Sequence, residues 1–483
     1  MNLRLSDQAR IALGGMADFA TGFVAPSLRL GVTGLSRSGK TVFITALVHA
    51  LLHGGRMPMF NAYATGRIAQ AYLEPQVHYE LPRFPYESHL AALTARDRRW
   101  PESTTRMSEL RLTIDYAPRG FFARRLGRGR LHIDILDYPG EWLLDLALLS
   151  LSYRQWSRAT LEAAAQPARA KLAKHWFGQL ASLDPLAPAD EMKAQRLAQL
   201  FTAYLARCRD DAVALSSLPP GRFLMPGDLE GSPLLTFAPL EIPGEASAPK
   251  GSLADMMERR YDAYVDHVVR PFFLDHFARL DRQIVLVDVL SALNAGPSAI
   301  GDLKTALTAV LGAFRQGANT WLSQLLGRRI DRILFAATKA DLLHHTSHDG
   351  LAGILKAVIE DAAKRAQYAG AHIDVAAIAA IRATREATVA QAGQDLPCIL
   401  GVPQSGETIG SQTFDGNTEA AVFPGDLPDD PYEALDGSLA GALRFVRFRP
   451  PVIAAPRPLM PAAPFSHIRL DRALEFLIGD HLA

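Results

Sequence analysis

The sequence contains only two cysteines and carries almost no net charge. Cys208 and Cys398 lie far apart without the spacing of a metal site, which predicts two ordinary thiols in a reducing compartment. The 51 lysines and arginines nearly balance the 50 aspartates and glutamates, so the formal net charge is +1. A nucleic-acid groove needs a concentrated positive surface, and nucleic acid is therefore not an expected partner.

Long apolar runs are also missing, since no stretch is long enough to span a bilayer. The N-terminus has neither the basic start nor the small-residue cleavage site of a secretory signal, so a cytoplasmic protein is expected. Residues 1–25 are predicted to form an N-terminal helix that packs on the chain's own core. A weak peripheral attachment of this amphipathic segment to the inner membrane is the alternative.

The pattern of apolar residues predicts a central sheet. Segments 109–116 and 130–137 alternate and are joined by a short connection, which indicates an antiparallel pair with one wetter face. Segments 284–290, 332–337 and 373–381 are nearly continuous apolar runs separated by helical stretches, as in parallel strands buried on both faces. With the strand at 28–32, the fold class is α/β, a mostly parallel, doubly wound sheet with an antiparallel pair near its edge.

A glycine-rich turn follows the first predicted strand and opens a predicted helix. Residues 34–41, GLSRSGKT, match the phosphate-binding pattern G-x-x-x-x-G-K-[ST] at every fixed position. Glycines let the backbone curl around phosphate oxygens, and the helix N-terminus adds a positive dipole. Lys40, expected to be exposed in an empty site, would reach the β and γ phosphates, and Thr41 would offer a hydroxyl to Mg²⁺. The predicted nucleotide-binding residues of this P-loop are Gly34, Ser36, Arg37, Ser38, Gly39, Lys40 and Thr41.

Two further segments are predicted to lie at the phosphates. In Asp137-Tyr138-Pro139-Gly140, the aspartate can hold Mg²⁺ through a water and the Gly140 N–H can meet the γ-phosphate. Glu141 follows, where many GTPases carry a water-orienting glutamine, which favours slow hydrolysis. Ser103-Thr104-Thr105 precedes the second strand, where GTPases place a threonine that closes on Mg²⁺; Thr104 is favoured over Thr105. The predicted metal ligands are thus Thr41, Thr104 and Asp137.

The predicted base-recognition motif is Thr338-Lys339-Ala340-Asp341, at the end of a buried strand. A carboxylate accepts from the adjacent N1–H and N2–H₂ donors of guanine, whereas adenine presents an acceptor at the same edge. The Lys339 stem can cover the base face. Thr338 stands where asparagine is usual, which weakens the argument for guanine over adenine. Ile381 and Arg382 open the loop from which a backbone N–H would reach the base O6.

Two groups of histidines lie close enough in the sequence to be considered as metal ligands. His49 and His53 are spaced i, i+4, and His344, His345 and His348 follow Asp341. A metal site needs a third or fourth converging ligand with supporting hydrogen bonds. Because no such ligand is apparent in the sequence, both groups are predicted to be ordinary helix-face and loop histidines.

The motifs together resemble one known family. The segments GLSRSGKTVFITALVHALL, LDYPGEWLLDL, DVLSALN, FAATKAD and IRATRE, in this order, are similar to the YcjX-like family of bacterial P-loop GTP-binding proteins. The resemblance implies a G-domain with a large helical insertion, binding of GTP or GDP with Mg²⁺, and an association with bacterial stress responses. It also implies a nucleotide-dependent switch for a protein effector, whose identity and membrane association the sequence does not give.

The domain organisation expected from these motifs is a G-domain split by insertions. Its two parts are 26–140 and 282–390, separated by a mostly helical insertion at 141–281. Residues 391–483 form a C-terminal extension that packs on the G-domain, with a turn-rich tract at 394–428 and a last helix at 471–481. Two other functions stay compatible with the motifs: a P-loop ATPase, because of Thr338, and a nucleotide-locked scaffold without useful turnover, because of Glu141.

Arg37 is an unusual residue for its place in the P-loop. Most small GTPases carry a short residue there, beside the β–γ phosphate bridge. In this respect the loop is similar to those of guanylate-binding proteins and atlastins, whose P-loop arginine serves as an arginine finger when two G-domains meet face to face. Arg37 would then be a built-in arginine finger in a nucleotide-dependent homodimer. The alternative is an outward ion pair with the insertion. The candidate catalytic residues are Lys40, Arg37, Thr104, Gly140 and Glu141.

Overall fold

The computed structural model describes residues 26–35, 37–102, 104–119, 128–210, 215–243, 247–315, 330–367, 370–391, 394–453 and 463–483. The N-terminal helix predicted at 1–25 lies outside the described residues. The chain divides into two compact units. The described residues of the first unit lie within Pro139–Arg279 and 301–315, and those of the second lie within 26–138, Leu280–Ile300 and 330–483.

A seven-stranded sheet forms the centre of the second unit. Its strands are β1 (Ser27–Gly34), β2 (Ile68–Glu74), β3 (Ser108–Tyr116), β4 (Gly129–Asp137), β5 (Arg282–Val287), β6 (Arg332–Ala337) and β7 (His372–Ala377). Their spatial order is β2-β3-β4-β1-β5-β6-β7. Strands β4, β1, β5, β6 and β7 are mutually parallel, whereas β3 is antiparallel to both of its neighbours. The predicted α/β class with a mostly parallel sheet is confirmed.

The sheet differs from the predicted one at its edge and at two strand ends, one of which is that of the strand predicted at 373–381, which ends at Ala377. β2 is an additional antiparallel strand outside β3. Its side chains are intermediate or exposed, so its sequence lacks the apolar alternation that marks β3 and β4. The strand predicted at 284–290 ends at Val287, because the Asp288 side chain accepts a hydrogen bond from the Ser291 N–H and caps a helix.

Fourteen α-helices are described, by the following bounds: α1 (Lys40–His53), α2 (Asn61–Ala64), α3 (Tyr86–Thr94), α4 (Glu141–Asp145), α5 (Tyr153–Ala165), α6 (Pro167–Leu180), α7 (Glu191–Cys208), α8 (Gly221–Leu224), α9 (Leu253–Tyr264), α10 (Arg270–Asp275), α11 (Val289–Ala295), α12 (Pro297–Arg315), α13 (His348–Gln367) and α14 (Leu470–Ile478). A π-helical turn, Val265–Val269, joins α9 to α10. Across the described ranges, every helix is too short or too polar to cross a membrane.

The first unit is mostly helical and is held together by aromatic side chains. Helices α5, α6 and α7 bury Trp156, Trp176 and Phe201, whose rings pack at centroid distances of 4.9 and 6.0 Å. Two of these helices begin at strong caps. Ser152 and Gln155 form a capping box at α5, and Asp190 accepts from two N–H groups at α7.

The C-terminal residues contain a small sheet and a helix. Strands β8 (Arg385–Gln391), β9 (Gln394–Gly401) and β12 (Ala420–Val422) form an antiparallel sheet, and β10 (Thr408–Ile409) pairs with β11 (Gln412–Thr413). The prediction of a turn-rich tract at 394–428 is therefore wrong for its first part, which forms strand β9 of a hairpin. Helix α14 buries Leu470, Leu474 and Leu477 in the same apolar core as β1 and α1.

Candidate functional site

The P-loop links β1 to α1 through residues with left-handed backbone. Gly39, immediately before α1, has a φ of 77°, and Arg37 has a φ of 62°. Gly34 faces Ser38 so closely that a Cβ on Gly34 would lie 1.9 Å from the Ser38 Oγ. The Leu35 N–H donates to the Leu286 carbonyl at 3.2 Å, which anchors the loop to β5. Ser36 lies outside the described residues.

Lys40 is buried, which corrects the expectation of an exposed side chain. Its ammonium donates to the Tyr138 carbonyl at 2.7 Å and lies 2.5 Å from Asp137 Oδ1. The side chains of Lys40 and Asp137 are 9% and 1% exposed. The lysine is held inward because Asp137, at the end of the neighbouring strand β4, would otherwise be a buried charge without a counter-charge.

The three predicted metal ligands lie together. The Thr104 hydroxyl donates to Asp137 Oδ2 at 2.7 Å, and the hydroxyls of Thr41 and Thr104 are 3.1 Å apart. Asp137 Oδ1 is buried and faces the Lys40 ammonium. Mg²⁺ prefers oxygen ligands such as these. The donor set therefore fits Mg²⁺, whereas Thr105 is exposed and Ser103 lies outside the described residues.

Gly140 and Glu141 belong to the first unit, where Gly140 precedes α4. The Glu141 side chain is buried and forms an ion pair with Arg209 at 3.6 Å. The backbone of Glu141 packs against Gly221, where an added Cβ would come within 2.2 Å of the Glu141 carbonyl oxygen. A side chain at position 221 would therefore separate α8 from α4. Helix α4, which follows Asp137-Tyr138-Pro139-Gly140, is thus fixed against α8.

Asp145, at the end of α4, was not apparent from the sequence as a functional candidate. Its carboxylate accepts hydrogen bonds of 2.5 Å from both the Gly221 N–H and the Tyr264 hydroxyl. Burial raises the pKa of Asp145 to about 6, and these two hydrogen bonds oppose that shift. Beside it, the Arg222 guanidinium stacks 3.2 Å from the centre of the Trp142 ring. The only sequence signal was an aspartate within the apolar run LLDLALL.

The base-recognition motif lies at the carboxyl end of β6. Asp341 is buried, and its Oδ2 accepts from the Ala383 N–H at 2.9 Å. The Thr384 hydroxyl donates to the Asp341 carbonyl. Burial raises the pKa of the Asp341 carboxyl, although hydrogen bonds from backbone N–H groups oppose that shift. Thr338 is buried beside it and bonds through its N–H to the Val287 carbonyl at 2.9 Å.

Lys339 has a left-handed backbone, with a φ of 61°, and its side chain reaches Asp288, the residue after β5. The ammonium donates to Asp288 Oδ2 at 2.5 Å, so Asp288 holds the lysine that is predicted to cover the base. Ile381 is 3% exposed and belongs to the core of the sheet. The Arg382 N–H donates to the Ser466 carbonyl at 2.7 Å, so the N–H that faces Asp341 is that of the next residue, Ala383.

Comparison with known proteins agrees with these features. Residues 28–482 match the model of the YcjX-like family, DUF463. The chain is 38% identical over 468 residues to a protein of Escherichia coli (strain K12) named Ras-like GTPase YcjX, covering 94% of this chain and 96% of that protein. It is 36% identical over 476 residues to the Ras-like GTPase YcjX of Shewanella oneidensis, covering 94% of each. The chain belongs to the YcjX-like family.

Proposed function

We propose that this chain binds GTP and GDP with Mg²⁺, hydrolyses GTP slowly and acts as a nucleotide-dependent switch. The observation that carries the proposal is the cluster of Thr41, Thr104 and Asp137 beside the P-loop lysine. Two hydroxyls and a carboxylate within hydrogen-bond distance of one another form the oxygen-rich set that a Mg²⁺–nucleotide complex requires. The names of the two relatives, both Ras-like GTPases, support the same function.

The P-loop residues bind the phosphates in this proposal. Backbone N–H groups of the P-loop would surround the β-phosphate, and Lys40 would contact the β and γ phosphates. Thr41, Thr104 and Asp137 would hold Mg²⁺, which would neutralise charge that develops on the phosphates during transfer. Little covalent chemistry is needed, so positioning and charge neutralisation account for the rate.

Asp341 selects guanine in this proposal. An ionised carboxylate accepts from N1–H and N2–H₂ of guanine, whereas adenine would leave the buried carboxylate opposite an acceptor. Lys339, held by Asp288, covers one face of the base. The Ala383 N–H, now bonded to Asp341, is the donor best placed to turn to the base O6. This assignment replaces Arg382, whose own N–H is bonded to Ser466.

The slow rate and the switch role rest on the residues after Asp137. Glu141 is paired with Arg209 instead of being held ready for an attacking water, so intrinsic hydrolysis is slow. Helix α4 is tied to α8 and α9 through the hydrogen bonds of Asp145 with Gly221 and Tyr264. A change in the segment that begins at Asp137 would therefore displace α8 and α9, where a protein effector can detect it. That effector lies in the cytoplasm or at the inner membrane.

Calorimetric titration tests the proposal. With Mg²⁺ present, GTP and GDP should bind at least ~10-fold more tightly than ATP, a ratio that corresponds to one well-placed polar contact. Thr104→Ala should remove most of the Mg²⁺ dependence of GTP affinity, and Thr105→Ala, which alters an exposed hydroxyl, is the matched control. Equal affinity for ATP would favour the P-loop ATPase that Thr338 keeps open.

A nucleotide-locked scaffold is the second candidate, favoured by the pairing of Glu141 with Arg209. Single-turnover measurements separate it from a slow GTPase. Conversion of bound GTP to GDP with a defined rate supports the GTPase. Retention of GTP over many hours, with and without effector candidates, supports the scaffold.

A further inference from the structure

Two loop histidines and a glutamate converge beside the base-recognition motif. His344 and His345 follow Asp341, and Glu386 lies at the start of β8. Their ligating nitrogen and oxygen atoms all lie within 4.8 Å of one another. His345 Nδ1 is 2.8 Å from Glu386 Oε2, and the two imidazole rings have centroids 4.2 Å apart. Glu386 is the third ligand that the sequence pattern did not reveal, because it lies 41 residues from His345.

Neighbouring groups orient two of these side chains. The Arg382 guanidinium donates to Glu386 Oε1 at 2.9 Å, which leaves Oε2 directed at His345. His344 Nδ1 is 3.0 Å from the Thr346 hydroxyl, which leaves its other ring nitrogen available. Hydrogen bonds of this kind set the tautomer and direction of metal-binding side chains. The cluster therefore has supporting contacts as well as three converging donors.

We propose that His344, His345 and Glu386 form a zinc-binding site. Two imidazoles and one carboxylate suit Zn²⁺ and disfavour Mg²⁺ and Ca²⁺, which prefer oxygen ligands. Zinc lies about 2.0–2.2 Å from each ligand, so two ligand atoms can be no more than about 4.4 Å apart. Side-chain movements of less than about 1 Å would bring the three donors to a common ion. His345 is 63% exposed, so a water completes the fourth position.

Cys398 is not part of this site. In the β8–β9 ladder, Glu386 is paired with Ile399, and Cys398 is paired with Ala387. Paired residues share a face and successive residues alternate, so Cys398 and Glu386 point to opposite faces of the hairpin. The ligand set is therefore nitrogen and oxygen only, and binding does not depend on the redox state of the thiol.

The ion would link the segment that contains Asp341 and His345 to the segment that contains Ala383 and Glu386. Those segments already meet where the Ala383 N–H and the Thr384 hydroxyl bond to Asp341. An ion that joins His345 to Glu386 restrains the same two segments, so zinc and guanine nucleotide should each change the affinity of the other. This coupling rests on the proposed function, whereas zinc binding itself does not.

The test is titration of the untagged, nucleotide-free full-length chain with Zn²⁺ by calorimetry and with Co²⁺ by visible absorption. We expect one ion per chain, and His345→Ala and Glu386→Gln should each weaken binding by roughly 100-fold. His372→Ala, which removes an exposed histidine at the start of β7, should bind as the parent does. Binding that survives in both ligand variants, or no stoichiometric binding by the parent, overturns the site.

A second measurement separates this site from the proposed function. GDP affinity is measured with Mg²⁺, with and without saturating Zn²⁺, on the parent and on Glu386→Gln. A several-fold change in the parent that disappears in the variant supports the coupling, and no change in the parent overturns it. A chain that binds zinc but not GTP or GDP retains the zinc site and overturns the proposed function alone.

Discussion

The Lys40 ammonium lies 2.5 Å from Asp137 Oδ1, so the lysine of the P-loop is paired with the carboxylate at the end of β4. Both side chains are buried, and the lysine also bonds the Tyr138 carbonyl. In the proposed function, Lys40 would contact the phosphates of the nucleotide and Asp137 would help to hold Mg²⁺. Nucleotide binding would then exchange one buried ion pair for two charge contacts.

Lys40→Ala should have two separate effects. GTP affinity should fall by at least ~100-fold, because the charge contact with the phosphates is lost. The free energy of unfolding should fall by about 3–5 kcal/mol, because Asp137 is left as an uncompensated buried charge. Titration calorimetry and urea denaturation measure the two effects.

A double variant separates the two roles of Lys40. Lys40→Ala combined with Asp137→Asn should regain much of the lost stability, since no buried charge remains, but not the GTP affinity. Lys364→Ala removes an exposed lysine paired with Glu360 and should change neither quantity. GTP affinity that is undiminished in Lys40→Ala would show that the loop does not bind phosphate.

Asp341 should make GTP affinity depend on pH. Burial raises the pKa of its carboxyl, and only the ionised form accepts both guanine donors. As the pH is lowered, GTP affinity should therefore begin to fall at a higher pH than it would if the pKa of Asp341 were that of an ordinary aspartate. In Asp341→Asn this dependence should be absent, and xanthosine triphosphate should bind better than GTP because an amide can donate to the xanthine carbonyl. A GTP preference that survives the substitution would show that Asp341 does not select the base.

Asp145 should make the stability of the first unit depend on pH. Its pKa is raised from 3.8 to about 6, so the folded chain binds the proton more tightly than the unfolded chain does. Stability due to this group therefore rises as the pH falls from about 6 to about 4, by roughly 3 kcal/mol in all.

Asp145→Asn removes the titrating group while keeping a side chain that can bond Gly221 and Tyr264. As the pH rises from 4 to 6, the unfolding free energy of the variant should increase by about 3 kcal/mol relative to that of the parent. Urea denaturation followed by tryptophan fluorescence measures this difference. A constant difference across that range would mean that Asp145 titrates as an exposed carboxyl does.

The parts of the molecule that follow from local pattern were predictable. β3 and β4 show clear apolar alternation, β6 is a nearly continuous apolar run, and GLSRSGKT is a contiguous motif with fixed positions. Contacts between distant segments were not predictable in this way. The pairing of Lys40 with Asp137 and the convergence of His345 with Glu386 depend on how strands and loops are arranged in three dimensions.

Edge and hairpin strands were missed for a different reason. β2 carries no buried face, and β8 contains exposed residues such as Val389, so neither shows the alternation that burial on one side imposes. Asp145 and Asp288 were missed because Asp145 lies in an apolar run and Asp288 lies within the strand predicted at 284–290. Their roles appear only through partners from other segments, Tyr264 and Lys339.

Arg37 provides the prediction that bears most directly on turnover. The residue is exposed, and its left-handed backbone is uncommon outside glycine, asparagine and aspartate. We expect Arg37→Ala to bind GTP nearly as the parent does, since the P-loop N–H groups and Lys40 are retained. Its hydrolysis rate should fall, by up to roughly 10³-fold if the guanidinium acts fully on the transferring phosphoryl group. Single-turnover hydrolysis measures this change.

The concentration dependence of the rate identifies where the arginine acts. If two copies of the chain meet through their G-domains, the parent's hydrolysis rate per molecule should rise with protein concentration, and the rate of Arg37→Ala should not. Arg37→Lys is the matched control, because it retains the charge but not the planar fork of donors, and it should recover only part of the rate. A variant that hydrolyses GTP as fast as the parent at every concentration would assign Arg37 to an ordinary surface ion pair, whose contribution to stability is about 0–1 kcal/mol.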